Sequence, residues 1–281
     1  MKPGLTPPPQ GLWRMLVPGL AFLAPAVQAA CVPSQLDLGL GAQASRWHEE
    51  GESGERLLSE RGTLRAASLA VGLPCAGLQW VAQLDLESGT RDYQGRSTTG
   101  APLSTESRVR SQRLQLQAWR PFEGSAWSVG ARLGWEPDSR RALASVGAVQ
   151  GYEESRDRWR LGLGARWQHE LPAAWQGRWE AWLDSGPRAR LSLDGEAFGA
   201  RAVRLEEGRW SSLALAWTLS PAPQAGRWQP WLGWRWESLR SRAGEPVAVR
   251  MDSGRLLAVS QPAYRQSDWR LVAGLRLTLD Y

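Results

Sequence analysis

Beyond residue 30 the sequence has no apolar run long enough for a transmembrane helix, which needs about 20 consecutive apolar residues. That excludes helical membrane spans there, but not a barrel, in which only alternate residues face lipid. Lysine is nearly missing: Lys2 is the only one, so every later basic side chain is an arginine or one of two histidines. Cysteine is limited to Cys31 and Cys75, and no zinc-ligand cluster, phosphate-binding loop or RNA-binding aromatic motif is present. The formal net charge of +6 falls to +4 without Lys2 and Arg14, too small an excess to point to nucleic acid. Phenylalanine and tyrosine are scarce, at three and four, whereas there are 18 tryptophans.

The C-terminal stretch is the most informative. Trp269, Leu271, Ala273, Leu275, Leu277, Leu279 and Tyr281 fall on one face at period two. Arg270, Val272, Gly274, Arg276, Thr278 and Asp280 fall on the other. Such a strand must keep its apolar face out of water. It resembles the closing strand of bacterial outer-membrane β-barrels, which usually end on an aromatic residue. The resemblance implies that Leu275, Leu277, Leu279 and Tyr281 form the signal read by the barrel-assembly machinery.

Residues 1–30 read as an export signal, with Lys2 and Arg14 ahead of an apolar stretch from Met15 to Val27. Small residues at Ala29 and Ala30 supply the cleavage site. Residues 31–281 are then a single outer-membrane barrel domain, destined for the cell outer membrane. Cys31 directly after the cut offers two readings, a lipoprotein anchor or a disulfide with Cys75. The residues before it lack the aliphatic side chain expected of a lipoprotein, and export places both cysteines in an oxidising setting, which favours the disulfide.

Ten segments alternate as spanning strands: 35–46, 63–73, 78–88, 107–119, 126–136, 157–168, 174–184, 209–219, 227–238 and the closing strand. The fifth and sixth carry the sharpest signature. Trp127 and Trp135 bracket Val129, Ala131 and Leu133, while Trp159 and Trp167 bracket Leu161, Leu163 and Ala165. Eight residues at about 3.3 Å each, tilted about 40°, cover roughly 20 Å, close to the height of a lipid-facing band between aromatic girdles. Tryptophans in a soluble sandwich core would have no reason to bracket smaller aliphatic residues twice.

Short connections follow the even-numbered strands, and long ones follow the odd, as in outer-membrane barrels with short periplasmic turns and long extracellular loops. The expected fold is an all-β antiparallel transmembrane barrel of ten strands. Alternation in 142–146 and 189–193 marks either strand extensions above the membrane or extra spanning hairpins, which would make twelve or fourteen strands.

The inward face of this register carries Arg113, Arg132, Arg158, Arg160, Arg166, Arg178, Arg235, Arg270 and Arg276. It also carries Asp37, Asp85, Glu87, Glu136, Glu180, Asp184, Glu237 and Asp280. Opposite charges in a narrow lumen should pair, since isolated ions away from water are costly and arginine grips carboxylates bidentately. The expectation is a charge-plugged lumen in a barrel with a structural or adhesin-like surface role. The alternative is a narrow channel for small solutes; a general porin would need about sixteen strands. Outer-membrane lipid and lipopolysaccharide are the expected partners, the latter through basic loop residues Arg240, Arg242, Arg250 and Arg255. The surface ligand is not readable, and no cofactor, metal or nucleic acid is expected.

In length, strand number and tall loops the chain resembles the omptin proteases. Their paired catalytic motifs do not carry over: Asp92 and Asp194 lie in outer loops, but the only histidine near them is His48 at the rim, while His169 falls in a short turn. The expectation is therefore no enzyme, with an omptin-like or lipid-modifying hydrolase as the remote alternative. The segment Gly226-Arg227-Trp228-Gln229-Pro230-Trp231-Leu232-Gly233-Trp234 resembles a late strand of autotransporter translocator barrels. Only a few residues separate the expected leader from the first strand, so no passenger is expected ahead of it.

Overall fold

The computed structural model describes residues 31–51, 53–96, 102–143, 151–194, 202–224 and 227–279. The expected leader at 1–30, residues 144–146, Asp280 and the terminal Tyr281 lie outside them.

The strands in chain order are β1 (Gln35–Glu50), β2 (Arg56–Cys75), β3 (Leu78–Arg96), β4 (Pro102–Pro121), β5 (Trp127–Ala142), β6 (Tyr152–Leu171) and β7 (Trp175–Gly186). There follow β8 (Arg190–Leu193), β9 (Val203–Glu206), β10 (Trp210–Pro221), β11 (Trp228–Ser241), β12 (Val247–Arg250), β13 (Leu256–Val259) and β14 (Ala263–Thr278). Strands β1–β7, β10, β11 and β14 form a closed antiparallel barrel, sealed where β1 pairs with β14. These are the ten expected strands. The alternation at 189–193 belongs to a β8–β9 hairpin that extends the sheet from the upper part of β6, so it is an extension and not a further span. The last long connection likewise holds a separate hairpin, β12–β13.

The barrel is inside out relative to a water-soluble protein. Leu40 and Leu163 are 72% and 73% exposed, while Arg158 and Arg160 are fully buried. Outward leucines are stable only where lipid covers them, and inward charges only where they pair. The register also aligns the tryptophans expected to bracket the lipid band. Trp127 sits opposite Trp167 and Trp135 opposite Trp159; a further pair, which the alternation did not single out, sets Trp236 opposite Trp269. Cross-strand aromatic pairs are among the better stabilising pairs in a sheet.

Most strands run further than the sequence alone marks, mainly at the long-loop end. The 20 residues of β6 rise about 65 Å, or about 50 Å along the barrel axis, roughly twice the lipid band. Above the outer tryptophans the outward positions turn polar, as at Glu153, Ser155 and Asp157 on β6. No lipid lies there, so the alternation that marks a span fades while the ladder continues. At the opposite end β2 and β3 are joined by Ala76 and Gly77, both at positive φ (51° and 75°), the geometry of a tight two-residue hairpin turn. Cys31 and Cys75 meet at this end in a disulfide, with Cα atoms 4.9 Å apart.

A charge lattice across the barrel lumen

Period-two alternation sends every second residue of each strand into the lumen, and barrel closure brings opposite walls within side-chain reach. At mid-height, Arg113 on β4 places its Nε 3.0 Å from Glu136 and its Nη1 2.9 Å from Glu237. Arg160 on β6 holds the same two carboxylates, with its Nη2 2.8 Å from Glu136, and also reaches Asp184 at 3.2 Å. Arg132 grips Asp184 from the other side, through Nε at 2.6 Å. Arg235 bridges Glu237 at 2.9 Å and Asp85 at 3.8 Å. Arg270 continues the chain to Asp85 at 2.9 Å and to Glu87.

Nearer the short-turn end the pattern is bidentate. Arg276 clamps Asp37 through two nitrogens, at 2.8 and 2.9 Å. Arg166 holds Glu180 at 3.1 and 3.0 Å, and Arg178 touches the same carboxylate at 3.3 Å. Every inward arginine and carboxylate read from the alternation among the described residues takes part in an ion pair. Around Arg113, Glu136 and Glu237 at mid-height the cavities are only about 20 and 10 Å³, room for a water molecule at most.

The sequence reading missed the lumen aromatics. Trp119 and Trp182 lie at buried inward positions and meet edge to face at 4.5 Å. Arg166 stacks over Trp119 at 3.9 Å and Arg132 over Trp182 at 4.4 Å, so the indoles cover guanidinium faces that no carboxylate can reach. The signal was available: both tryptophans fall on the inward parity of their strands.

Above the outer girdle the lumen becomes a mixed polar and aromatic core. Trp47 stacks on Tyr264 at 4.0 Å, and Arg156 lies over both rings, at 4.6 and 5.2 Å. Tyr264 donates its hydroxyl to the buried Glu207 at 2.8 Å. Arg140 gathers three carboxylates: Glu154 at 2.9 Å, Glu60 at 3.2 Å and Glu49 at 3.8 Å. Glu49 stands five residues beyond Ala44, which pairs with girdle residue Trp269, so it lies outside the lipid band. Burial pushes its carboxyl up to about 7, Arg140 opposing this and Glu154 adding to it.

His48 is on the outward parity of β1, 3.3 Å from Glu50, and so faces away from Glu49, Glu60 and Glu154. Asp92 and Asp194 stand on β3 and just after β8. His169 stacks on Trp167 at 4.4 Å near the short-turn end. Among the described residues no group of carboxylates, histidines and cysteines is placed to hold a metal ion.

No family model and no curated protein matches the sequence. Among solved structures, the outer membrane protease OmpT from Escherichia coli superposes with a TM-score of 0.57 at 12% identity, over 90% of this chain and 99% of that one. The fold is that of an outer-membrane β-barrel. The β domain of the Bordetella autotransporter BrkA aligns at 15% identity over 87% of this chain and 99% of that one, with a TM-score of 0.41. Neisserial surface protein A aligns at 9% identity over 87% and 97%, with a TM-score of 0.34. At these identities the likeness concerns the fold alone.

Proposed function

We propose that this barrel resides in the outer membrane, delivered there by its leader and the barrel-assembly machinery. Its long loops face outward, and it acts as a closed, charge-plugged platform for surface interaction. The observation that carries this reading is the set of cross-lumen pairs centred on Arg113, Arg160, Glu136 and Glu237. A solute would have to break several charge-assisted contacts at once to pass them. Interaction then falls to the outer elements. The β12–β13 hairpin shows Leu256 and Leu257 half or more exposed beside Arg250 and Arg255, a combination suited to lipopolysaccharide phosphates and acyl chains. A non-catalytic role is favoured by the mouth carboxylates being engaged by Arg140, with His48 on the opposite face.

The test has two arms. In planar bilayers the folded protein should show no steady conductance; a stable open channel would replace this reading with the narrow-pore alternative. On cells, deletion of residues 247–259 should reduce adhesion or lipopolysaccharide binding while leaving the barrel folded. Unchanged binding would remove the surface role from that loop.

A further inference from the structure

The lumen is not filled evenly. Between the charge lattice and the short-turn end lies a cavity of about 340 Å³, floored by Asp85, Arg132, Arg235 and Arg270. Ser34, Pro74 and Pro223 line its other end, so it opens toward the short turns and is blind toward the long loops. Its volume lies at the lower end of the range for small-molecule pockets, about 300–1,000 Å³.

One arginine in its wall is under-used. Arg178 has a single protein partner among the described residues, Glu180, reached through Nε at 3.3 Å. Glu180 is already held twice by Arg166, so two guanidinium groups share one carboxylate. The other arginines of this wall spend their terminal nitrogens on the protein. Arg276 uses them on Asp37 and Ser220, Arg166 on Glu180 and Gln79, and Arg235 on Asp85 and Glu237. Arg132 spends its own on Asp184 and Gln115, and Arg270 on Asp85 and Glu87. Arg178 remains 24% exposed, and among the described residues neither of its terminal nitrogens has a protein acceptor. Its cross-strand neighbours are Gln168 on β6 and Thr218 on β10, and both also line the cavity.

We propose that this cavity is a blind anion-binding site, entered from the short-turn side, in which Arg178 receives a carboxylate or phosphate group. The planar fork of the guanidinium offers two parallel donors to such a group, and a low-dielectric wall strengthens the contact. The Gln168 amide and the Thr218 hydroxyl flank it as further donors, and Trp182 and Trp231 give the ligand body an apolar surface.

The experiment is calorimetric titration of the detergent-folded full barrel with inorganic phosphate and, separately, with succinate, in low-chloride buffer. Saturable binding of either is expected; phosphate alone would assign a phosphate ligand and succinate alone a carboxylate. Arg178→Gln should weaken binding at least tenfold, whereas Arg178→Lys should keep a weakened affinity for phosphate. Gln168→Glu places a carboxylate opposite Arg178 and should abolish binding while adding an ion pair to the fold, which covers the case where Arg178→Gln fails to fold. No saturable binding of either anion by the wild type, or binding unchanged in Gln168→Glu, would overturn the proposal.

Discussion

Arg113 on β4 and Glu237 on β11 are 124 residues apart in sequence and 2.9 Å apart in space. Their strands are not neighbours in the sheet: β3, β2, β1 and β14 stand between them. The contact therefore spans the lumen and ties opposite walls. Arg160 on β6 reaches the same carboxylate.

Removing that carboxylate should cost more than one contact. Glu237→Ala leaves Arg113, Arg160 and Arg235 short of a counter-ion in a buried site. Breaking one partner of a buried pair typically costs about 3–5 kcal/mol. The temperature at which the folded gel form converts to the unfolded form should fall, and transient conductance should appear in bilayers. Glu237→Gln, which keeps an acceptor oxygen, should show a smaller change in both.

Where lipid constrained the sequence, it could be read. Trp127, Trp135, Trp159 and Trp167 marked the band edges because an outward residue there has only one solvent to suit. The inward charges were legible for the same reason, by parity. Which arginine meets which carboxylate was not legible, because the Arg113–Glu237 contact depends on the stagger of the closed sheet. The extension at 189–193 was legible from its own alternation, but the outer continuations of the spanning strands were not, since Trp47, Tyr93 and Tyr264 form a core above the membrane, where polar outward residues such as Glu153 and Asp157 break the alternation.

Trp231 offers a packing test inside the lumen. Its indole lies over Gly39, Gly233 and Gly274, where added Cβ atoms would collide with it, and its Nε1 donates to the Leu38 carbonyl at 3.2 Å. An aromatic ring covering strand glycines replaces the side-chain packing they lack. Gly274→Ala would press against both the Leu38 carbonyl and the indole, and should destabilise the barrel by about 1–3 kcal/mol. Trp231→Ala should cost about 3–5 kcal/mol by leaving a void. Urea unfolding followed by circular dichroism measures both.

The disulfide should stabilise chiefly by restricting the unfolded chain. Cys31 and Cys75 are separated by 44 positions, and closing a loop of that length is worth about 4 kcal/mol in the chain-entropy account. The double variant Cys31→Ser, Cys75→Ser should therefore unfold at lower urea, with the native strand content retained below the transition. Adding reductant to the wild type should reproduce the shift, and reductant should leave the double variant unchanged.

The carboxylates around Arg140 should make the outer extension sensitive to pH. Glu49 is held near 7, above its ordinary 4.5, mainly by burial, with Glu154 adding to the shift. A carboxyl whose folded value is raised favours the folded state most when protonated. Its contribution is thus complete below about 4.5 and is lost as pH climbs through about 7. Charging Glu49 adds a negative charge to a carboxylate cluster in which Glu49, Glu60 and Glu154 share Arg140, with Arg91 beside Glu60 and Arg156 the further cation acting on Glu49. Hydrogen exchange of the outer parts of β1, β2 and β6 should therefore be slower at pH 5 than at pH 8, after correction for intrinsic rates. Glu49→Gln keeps the shape, stays neutral throughout, and should flatten that dependence. The lipid-embedded parts of the same strands should show no comparable change, which separates a local effect at Arg140 from a general loosening of the barrel.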